Sequence, residues 1–439
     1  SAMSTGMDAA RFNRWFHEHE ETITGSLVDY LSIDTVTPRE ADATAFLTEY
    51  LAGVGGTCDV LPVHPALTEH RMRSPHPQGR STPERGSLRA NLGNCASPSA
   101  PTTMFNAHVD VVPASPDFSD AFTPMLRDGA IWGRGAADTK NNLIMLVEAI
   151  RFLRDEQIPL ARNVMVDLPA EEEIGGNGTL SNLLHGAPFD EAVCLEPTSL
   201  TVFRGHRGCL TFKVTVFGRS VHMGSAQTGV DAIAGAIAAI GRLRELESSM
   251  LTRAAEDPVF NVWARPLQLN IGLISGGEWS GSVPERCSFT GELGFLPPDS
   301  IADVQRAIEA ACRHASGQGE SVGMEVDFTA GLSNDSYLTD AGEALVHDLV
   351  MAQRSVVDGG TSAQPVGGWN VSCDARLYAN VARVPTVVFG SGSVSDAHSA
   401  HEHVRISELA QGMAVLARFL STGASVGGKR LQAPHGYSK

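Results

Sequence analysis

The sequence lacks any apolar run long enough to cross a bilayer, so a membrane is not expected as its partner. Residues 1–10 show no basic stretch followed by an apolar one, the pattern of a secretory leader. Basic residues are the minority: 33 Lys and Arg stand against 50 Asp and Glu, a formal net charge of −17. Such a surface repels phosphate backbones, which argues against a nucleic acid partner. Cysteine is scarce too. The seven cysteines (58, 95, 194, 209, 287, 312 and 373) are odd in number, scattered, and form no Cys-x-x-Cys pair. Neither a disulfide framework nor a thiolate zinc site fits that pattern; free buried thiols in a reducing, cytoplasmic setting do. Aromatic residues contribute only 6%, but hydrophobic residues reach 42% of 439, enough for two or three domains and a large core.

What the chain does have is a concentrated acidic turn. Asn163–Leu168 is apolar and β-branched and reads as a buried strand. It runs into Pro169-Ala170-Glu171-Glu172-Glu173-Ile174-Gly175-Gly176-Asn177-Gly178. Three carboxylates this close repel one another, which raises the pKa of at least one of them. Full exposure to water or a bound cation relieves the repulsion. A lone Glu triplet reads as a solvated loop, but four further pieces of the same kind turn the reading toward a cation.

Taken in order, residues 9–31 read as an amphipathic helix, with Phe12, Trp15, Phe16, Ile23, Leu27 and Leu31 near helical spacing, and 41–53 as a second helix. Residues 64–86, rich in Pro, Arg, His and Ser, read as a long surface loop. Strands at 87–92 and 102–107 then lead into His108-Val109-Asp110. Residues two apart in an extended segment share a face, so Asp110 is placed to orient His108, although a His bonded to a core neighbour is the plainer reading. Gly133-Arg134-Gly135-Ala136-Ala137-Asp138 bends the chain into a helix at 141–155, where Asp138 has an ordinary use as an N-cap. A short apolar strand ends on Glu196-Pro197, and Val387-Val388-Phe389 ends on Gly390-Ser391-Gly392, followed by Asp396-Ala397-His398 and Glu402. Together these pieces repeat one design, in which an apolar strand ends in a His or carboxylate beside a glycine turn. Open α/β sheets place their sites there. The N and O donors suit Zn, Mn or Co, and their count suits two ions sharing a carboxylate about 3.5–4 Å apart.

These five motifs, in this order, resemble the dinuclear metallohydrolase family M20, which includes acetylornithine deacetylase, succinyl-diaminopimelate desuccinylase, aminoacylase, glutamate carboxypeptidase and related dipeptidases. The resemblance spans most of the chain. It implies an α/β fold, with a catalytic domain built on a mixed central sheet flanked by helices and an inserted α+β lid or dimerisation domain. It also implies two divalent metal ions, Zn first, with Co or Mn as alternatives. His108 and Glu196 would take one ion, Glu173 and His398 the other, and Asp138 would bridge them. Glu172 matches the family's general base and Asp110 the partner that orients His108. The family's Asp-Glu-Glu is here Glu171-Glu172-Glu173, which leaves Glu171 and Glu172 as rivals for the base.

Residues 208–218 alternate like a strand, a helix opens at 229–233, strands follow at 267–275 and 287–296, and a helix covers 300–316. The expectation is a four-stranded antiparallel sheet with two helices over 210–328, set between catalytic segments 1–209 and 329–439. Gly218-Arg219-Ser220-Val221-His222 matches the family motif whose His enters an active site, in dimers the partner's, to stabilise the oxyanion. A homodimer through this domain is implied. By the same resemblance Arg376 contacts the substrate carboxylate, its plainer use being a surface ion pair with Asp374, and His206 and Gly392 border the substrate. Desuccinylases carry Arg where this chain has His206 and Gly294, so a succinyl substrate is disfavoured. The implied activity removes an acyl group from an N-acyl amino acid, as acetylornithine deacetylase does, by attack of a metal-bound hydroxide. The alternatives are a dipeptidase or carboxypeptidase of the same family acting on a short peptide, and a non-catalytic binding protein on this fold. A serine or cysteine hydrolase is disfavoured, because no nucleophile sits in a strand-turn-helix elbow.

Overall fold

The computed structural model describes residues 7–79, 85, 87–186, 188–315, 323–357 and 365–423. Residues 80–84 and 86 of the expected loop, and residue 316 of the expected helix, lie outside the described residues.

Six strands form the central sheet in the order Thr57–Leu61, Ser87–Gly93, Asn163–Leu168, Thr102–Asn106, Glu191–Cys194 and Thr386–Val388. The first two junctions are antiparallel and the other three parallel, so the sheet is mixed, as expected. Side chains alternate across it. Phe105, Val164, Val166 and Val193 enter a core with residues of helices Ala9–Leu31, Lys140–Asp155, Ala344–Val357 and Ile406–Ser421. Met104, Met165 and Ala192 face the opposite side, packing with Leu180, Leu183 and Tyr378. Helices therefore flank both faces. The expected helix at 9–31 forms, and the one at 41–53 divides into a 3-10 turn, Glu40–Ala43, and the helix Thr44–Ala52. Two elements carry no legible pattern. Thr57–Leu61 is an edge strand without a buried face, and Asn177–Leu184 starts inside the glycine-rich turn.

A separate antiparallel sheet runs in the order Leu269–Gly276, Arg286–Phe295, Gly208–Phe217 and Gly323–Asp327. Helices Ala232–Ala254 and Ile301–Ala315 cover one face around Leu210, Phe212, Val214, Leu243, Phe289 and Ile308. The expectation of four strands is corrected to five. Gly323–Asp327 pairs only with residues 213–217, and the remaining end of that long strand accepts Ser333–Asn334 opposite Leu210 and Cys209. A strand of two residues has no period to read. Among the described residues no helix is long and apolar enough to cross a membrane.

The parallel pairing sets up the site. Asn163–Leu168, Thr102–Asn106, Glu191–Cys194 and Thr386–Val388 all end on the same edge of the sheet. From that edge the chain continues into Glu172 and Glu173, His108, Glu196, and the Gly390–Gly392 turn respectively. The acidic turn is held close to its own strand: a Cβ added at Gly178 would overlap the Ala170 carbonyl oxygen. Gly178→Ala should therefore cost about 1–3 kcal/mol in denaturant unfolding, as overpacking does. Gly241→Ala, in a helix with nothing within 4 Å of the added carbon, should hold or raise stability by up to about 1 kcal/mol. Equal effects at the two positions would contradict the tight turn.

Candidate metal centre

His108 is fully buried two residues beyond the strand Thr102–Asn106, and its Nδ1 donates to the main-chain oxygen of Asp110 at 2.8 Å. A carbonyl only accepts, so Nδ1 carries a proton, and Nε2 turns to the carboxylates. Nε2 lies 2.9 Å from Asp138 Oδ1, 3.6 Å from Glu172 Oε2 and 3.7 Å from Glu196 Oε2. His398 closes the other side, its Nε2 3.3 Å from Asp138 Oδ2 and 3.0 Å from Glu173 Oε1. Each oxygen of Asp138 thus faces a different imidazole. Asp138 is not an N-cap: the helix starts at Lys140, and Thr139 flanks it without a side-chain cap.

The Asp110 carboxylate does less for His108 than the sequence suggests. Its Oδ1 lies 3.5 Å from the ring nitrogen, while its two oxygens accept from the main-chain N–H groups of Glu172 (3.1 Å) and Glu173 (3.0 Å). It therefore fixes the acidic turn, and its main-chain carbonyl orients the imidazole. The same turn separates the rival glutamates. Glu171 lies in the left-handed region at φ 64°, a conformation costing about 1 kcal/mol in a non-glycine residue, and its carboxylate pairs with buried Arg85. Glu172 and Glu173 consequently point into the cluster.

Electrostatically the cluster favours a cation. Among the described residues no Lys or Arg pairs with Asp138, Glu172, Glu173 or Glu196. Burial and the charge of Glu196 push Glu172 well above the usual carboxylate range, and burial does the same to Glu196. Burial opposes the charged form of His108, but Glu172, Glu196 and its hydrogen bonds outweigh it and raise the imidazole. At Asp138 hydrogen bonds from both imidazoles outweigh burial and lower it. Glu196 Oε1 is buried without a hydrogen-bond partner. Donor atoms of His108, Asp138 and Glu196 lie within 4.8 Å of one another, as do those of Asp138, Glu173 and His398. This N and O donor set fits two divalent ions. Cys194, Cys373 and Glu196 also converge, but burial pushes the Cys194 thiol well up, so it packs as a thiol.

Other expected residues stand elsewhere. Arg376 is buried, not on the surface. It donates to the carbonyls of Cys373 (2.6 Å) and Gly175 (2.9 Å), lies 3.6 Å from Asp374 Oδ1, and so braces the glycine turn from beneath. His206 is buried with both ring nitrogens engaged, Nδ1 with Arg207 O at 2.7 Å and Nε2 with Cys373 N at 3.4 Å. Burial, helped by the Arg376 charge, pushes it down to about 3, so it is neutral and presents no free nitrogen to a substrate. Gly392, at φ 90°, packs against Ala137, where an added Cβ would meet Ala137 Cα and Cβ at 3.0 Å. His222 lies beside the second sheet, exposed, its Nδ1 accepting from Gly224 N at 3.0 Å, outside the cluster. Arg85 and Arg134 are invisible in the sequence, because a lone Arg in a Pro-rich loop or glycine turn gives no signal of its carboxylate partner.

Without ions, burial and the Asp138 charge lift Glu173 to about 7, and hydrogen bonds to Asp138 and Glu173 lift His398 to about 11. Both groups bind protons more tightly folded than unfolded. Their stabilisation is complete below the unfolded pKa and is lost as pH rises through the folded one. The depressed Asp138 acts oppositely only in more acidic solution, and the depressed His206 acts oppositely below its ordinary value of 6.5. The melting temperature of chelator-treated protein should therefore fall between about pH 6.5 and about pH 8, where the raised Glu173, Glu172, Glu196, His108 and His398 all hold protons more tightly folded than unfolded. A rise over that interval would contradict this electrostatic account.

The model of peptidase family M20/M25/M40 matches residues 104–422. Acetylornithine deacetylase of Myxococcus xanthus is 29% identical over 314 residues, 71% of this chain and 77% of that protein. Among solved structures, the dipeptidase Dug1p of Saccharomyces cerevisiae superposes with a TM-score of 0.73 at 15% identity, covering 95% of this chain and 98% of the other. The YXEP protein of Bacillus subtilis, described as a dinuclear metal-binding peptidase, gives 0.59 at 14% identity, covering 94% and 98%. The family match, which takes in all five strand-end motifs, identifies the chain as a member of peptidase family M20/M25/M40.

Proposed function

We propose that this protein is a two-metal amidohydrolase that removes the acyl group from an N-acyl amino acid. The observation that carries the reading is Asp138, whose two oxygens each face one imidazole of a cluster with excess negative charge. His108 and Glu196 would hold one ion and Glu173 and His398 the other, with Asp138 between them; Zn, Co and Mn all suit these donors. The bound ions would supply Lewis acidity, polarising the amide carbonyl and acidifying a water.

Glu172 is the general base. Its raised pKa suits it to take a proton from the attacking water and return it to the leaving amine. Asp110 holds Glu172 in place through the main-chain N–H at 3.1 Å. Glu171, committed to Arg85, is withdrawn as a rival. The deacetylase-like acyl preference is supported by the Myxococcus relative.

His222 is the residue that a second subunit would supply to stabilise the oxyanion. Its exposure in one chain is consistent with that use. The edge strand Leu269–Gly276 exposes Leu273 (70%) and Ile274 (57%), a surface that a homodimer would cover.

Two outcomes follow. Glu172→Gln should lower turnover of an N-acetyl amino acid by about 10²–10⁴-fold while metal content stays at the wild-type level. Retained turnover would remove Glu172 as the base. His222→Ala should lose about 10²–10³-fold in kcat. Mixing the two inactive variants under subunit exchange should restore activity, because one site of the mixed dimer then has both groups. No recovery despite exchange would place His222 outside the partner's site.

A further inference from the structure

Glu402 is almost fully buried beside the residues that would bind the ions, and its carboxylate meets the main chain of one of them, Asp138. Its Oε2 accepts from three main-chain N–H groups of one turn, those of Gly135 (2.9 Å), Ala137 (3.0 Å) and Asp138 (3.1 Å). Converging N–H groups of this kind form an anion-binding nest, and here a side chain of the protein fills it. Its Oε1 pairs with Arg134 Nη1 at 2.7 Å. Its main-chain oxygen accepts from Gly133 N at 3.1 Å.

Arg134 is equally buried and extends the connection. It donates to Ser399 O at 3.3 Å and to Pro113 O at 3.4 Å, and its guanidinium lies 5.0 Å from the Phe118 ring centre. The pair therefore joins three segments: the 133–138 turn carrying Asp138, the 398–402 segment carrying His398, and the stretch that runs from His108 to Pro113. The geometry demanded at Asp138 is unusual, since Oδ1 must face one imidazole and Oδ2 the other. A main-chain rotation at Asp138 would spoil both contacts at once. Glu402 holds that main chain by its own N–H.

Resting on the two-ion reading above, we infer that Glu402, locked by Arg134, is a positioning residue that holds the Asp138 carboxylate in its bridging orientation and registers it against His398. Glu402→Gln keeps an oxygen for the nest but turns an amide N–H group toward Arg134. Arg134→Lys keeps the charge but loses the reach to Ser399 and Pro113.

The test compares the metal-free melting temperature, the affinity for Zn by competition with a chromophoric chelator, and the visible spectrum of the Co-loaded protein. Wild type should bind two ions. Glu402→Gln should bind metal about 10–100-fold more weakly and show an altered Co spectrum, as losses of residues supporting metal ligands do. Arg134→Lys should shift both in the same direction, and it carries the test if Glu402→Gln does not fold. A change in melting temperature alone, with wild-type affinity and spectrum in both variants, would overturn the inference. Wild-type protein that binds no Zn would instead overturn the two-ion reading.

Discussion

Carboxylates buried side by side need a proton or a cation between them, and among the described residues neither lysine nor arginine supplies that cation. Asp138, Glu172, Glu173 and Glu196 converge on two imidazoles, and those imidazoles are the only cationic groups paired with them among the described residues. The surrounding chain is arranged to keep this concentration of charge in place. A left-handed Glu171 directs its two successors inward, and Asp110 spends both oxygens on their N–H groups. Arg376 braces the following glycines through the Gly175 carbonyl. Buried carboxylates of this kind either take up protons, as the raised Glu172, Glu173 and Glu196 would, or coordinate cations.

The parallel part of the sheet explains why donors so far apart in sequence meet. Four neighbouring strands end on one edge, and each delivers its donor or glycine turn there. Asn141 and Asn142, at the start of the helix that follows Asp138, then hold Ser391 by hydrogen bonds of 2.8–3.2 Å, drawing the last strand's turn onto the Asp138 loop. His398 is the donor left half-exposed, so the cluster opens to solvent on its side.

Much of this was legible in the residues. Apolar strands ending in His or carboxylate beside glycine pick out the site because hydrophobic periodicity and turn chemistry are both local. The position of Asp110 was legible and its partner was not: the carboxylate's choice of two N–H donors depends on a turn 62 residues away. Resemblance alone suggests a substrate role for Arg376 and His206; their main-chain partners, Cys373 O and Arg207 O, follow from burial and carry no sequence signal. The fifth strand of the second sheet and the edge strand Thr57–Leu61 escaped for a simpler reason, one being two residues long and the other lacking a buried face. Glu402 was visible only as a motif letter, since a nest of N–H groups exists only in the folded turn.

The central claim is that one carboxylate, Asp138, lies between two ions. Anomalous diffraction from crystals of Zn-loaded protein, collected on both sides of the Zn absorption edge, tests it most directly. The account predicts two peaks about 3.5–4 Å apart flanking the Asp138 carboxylate, one beside His108 and Glu196 and the other beside Glu173 and His398. A single peak, or peaks at Cys194 and Cys373, would contradict it.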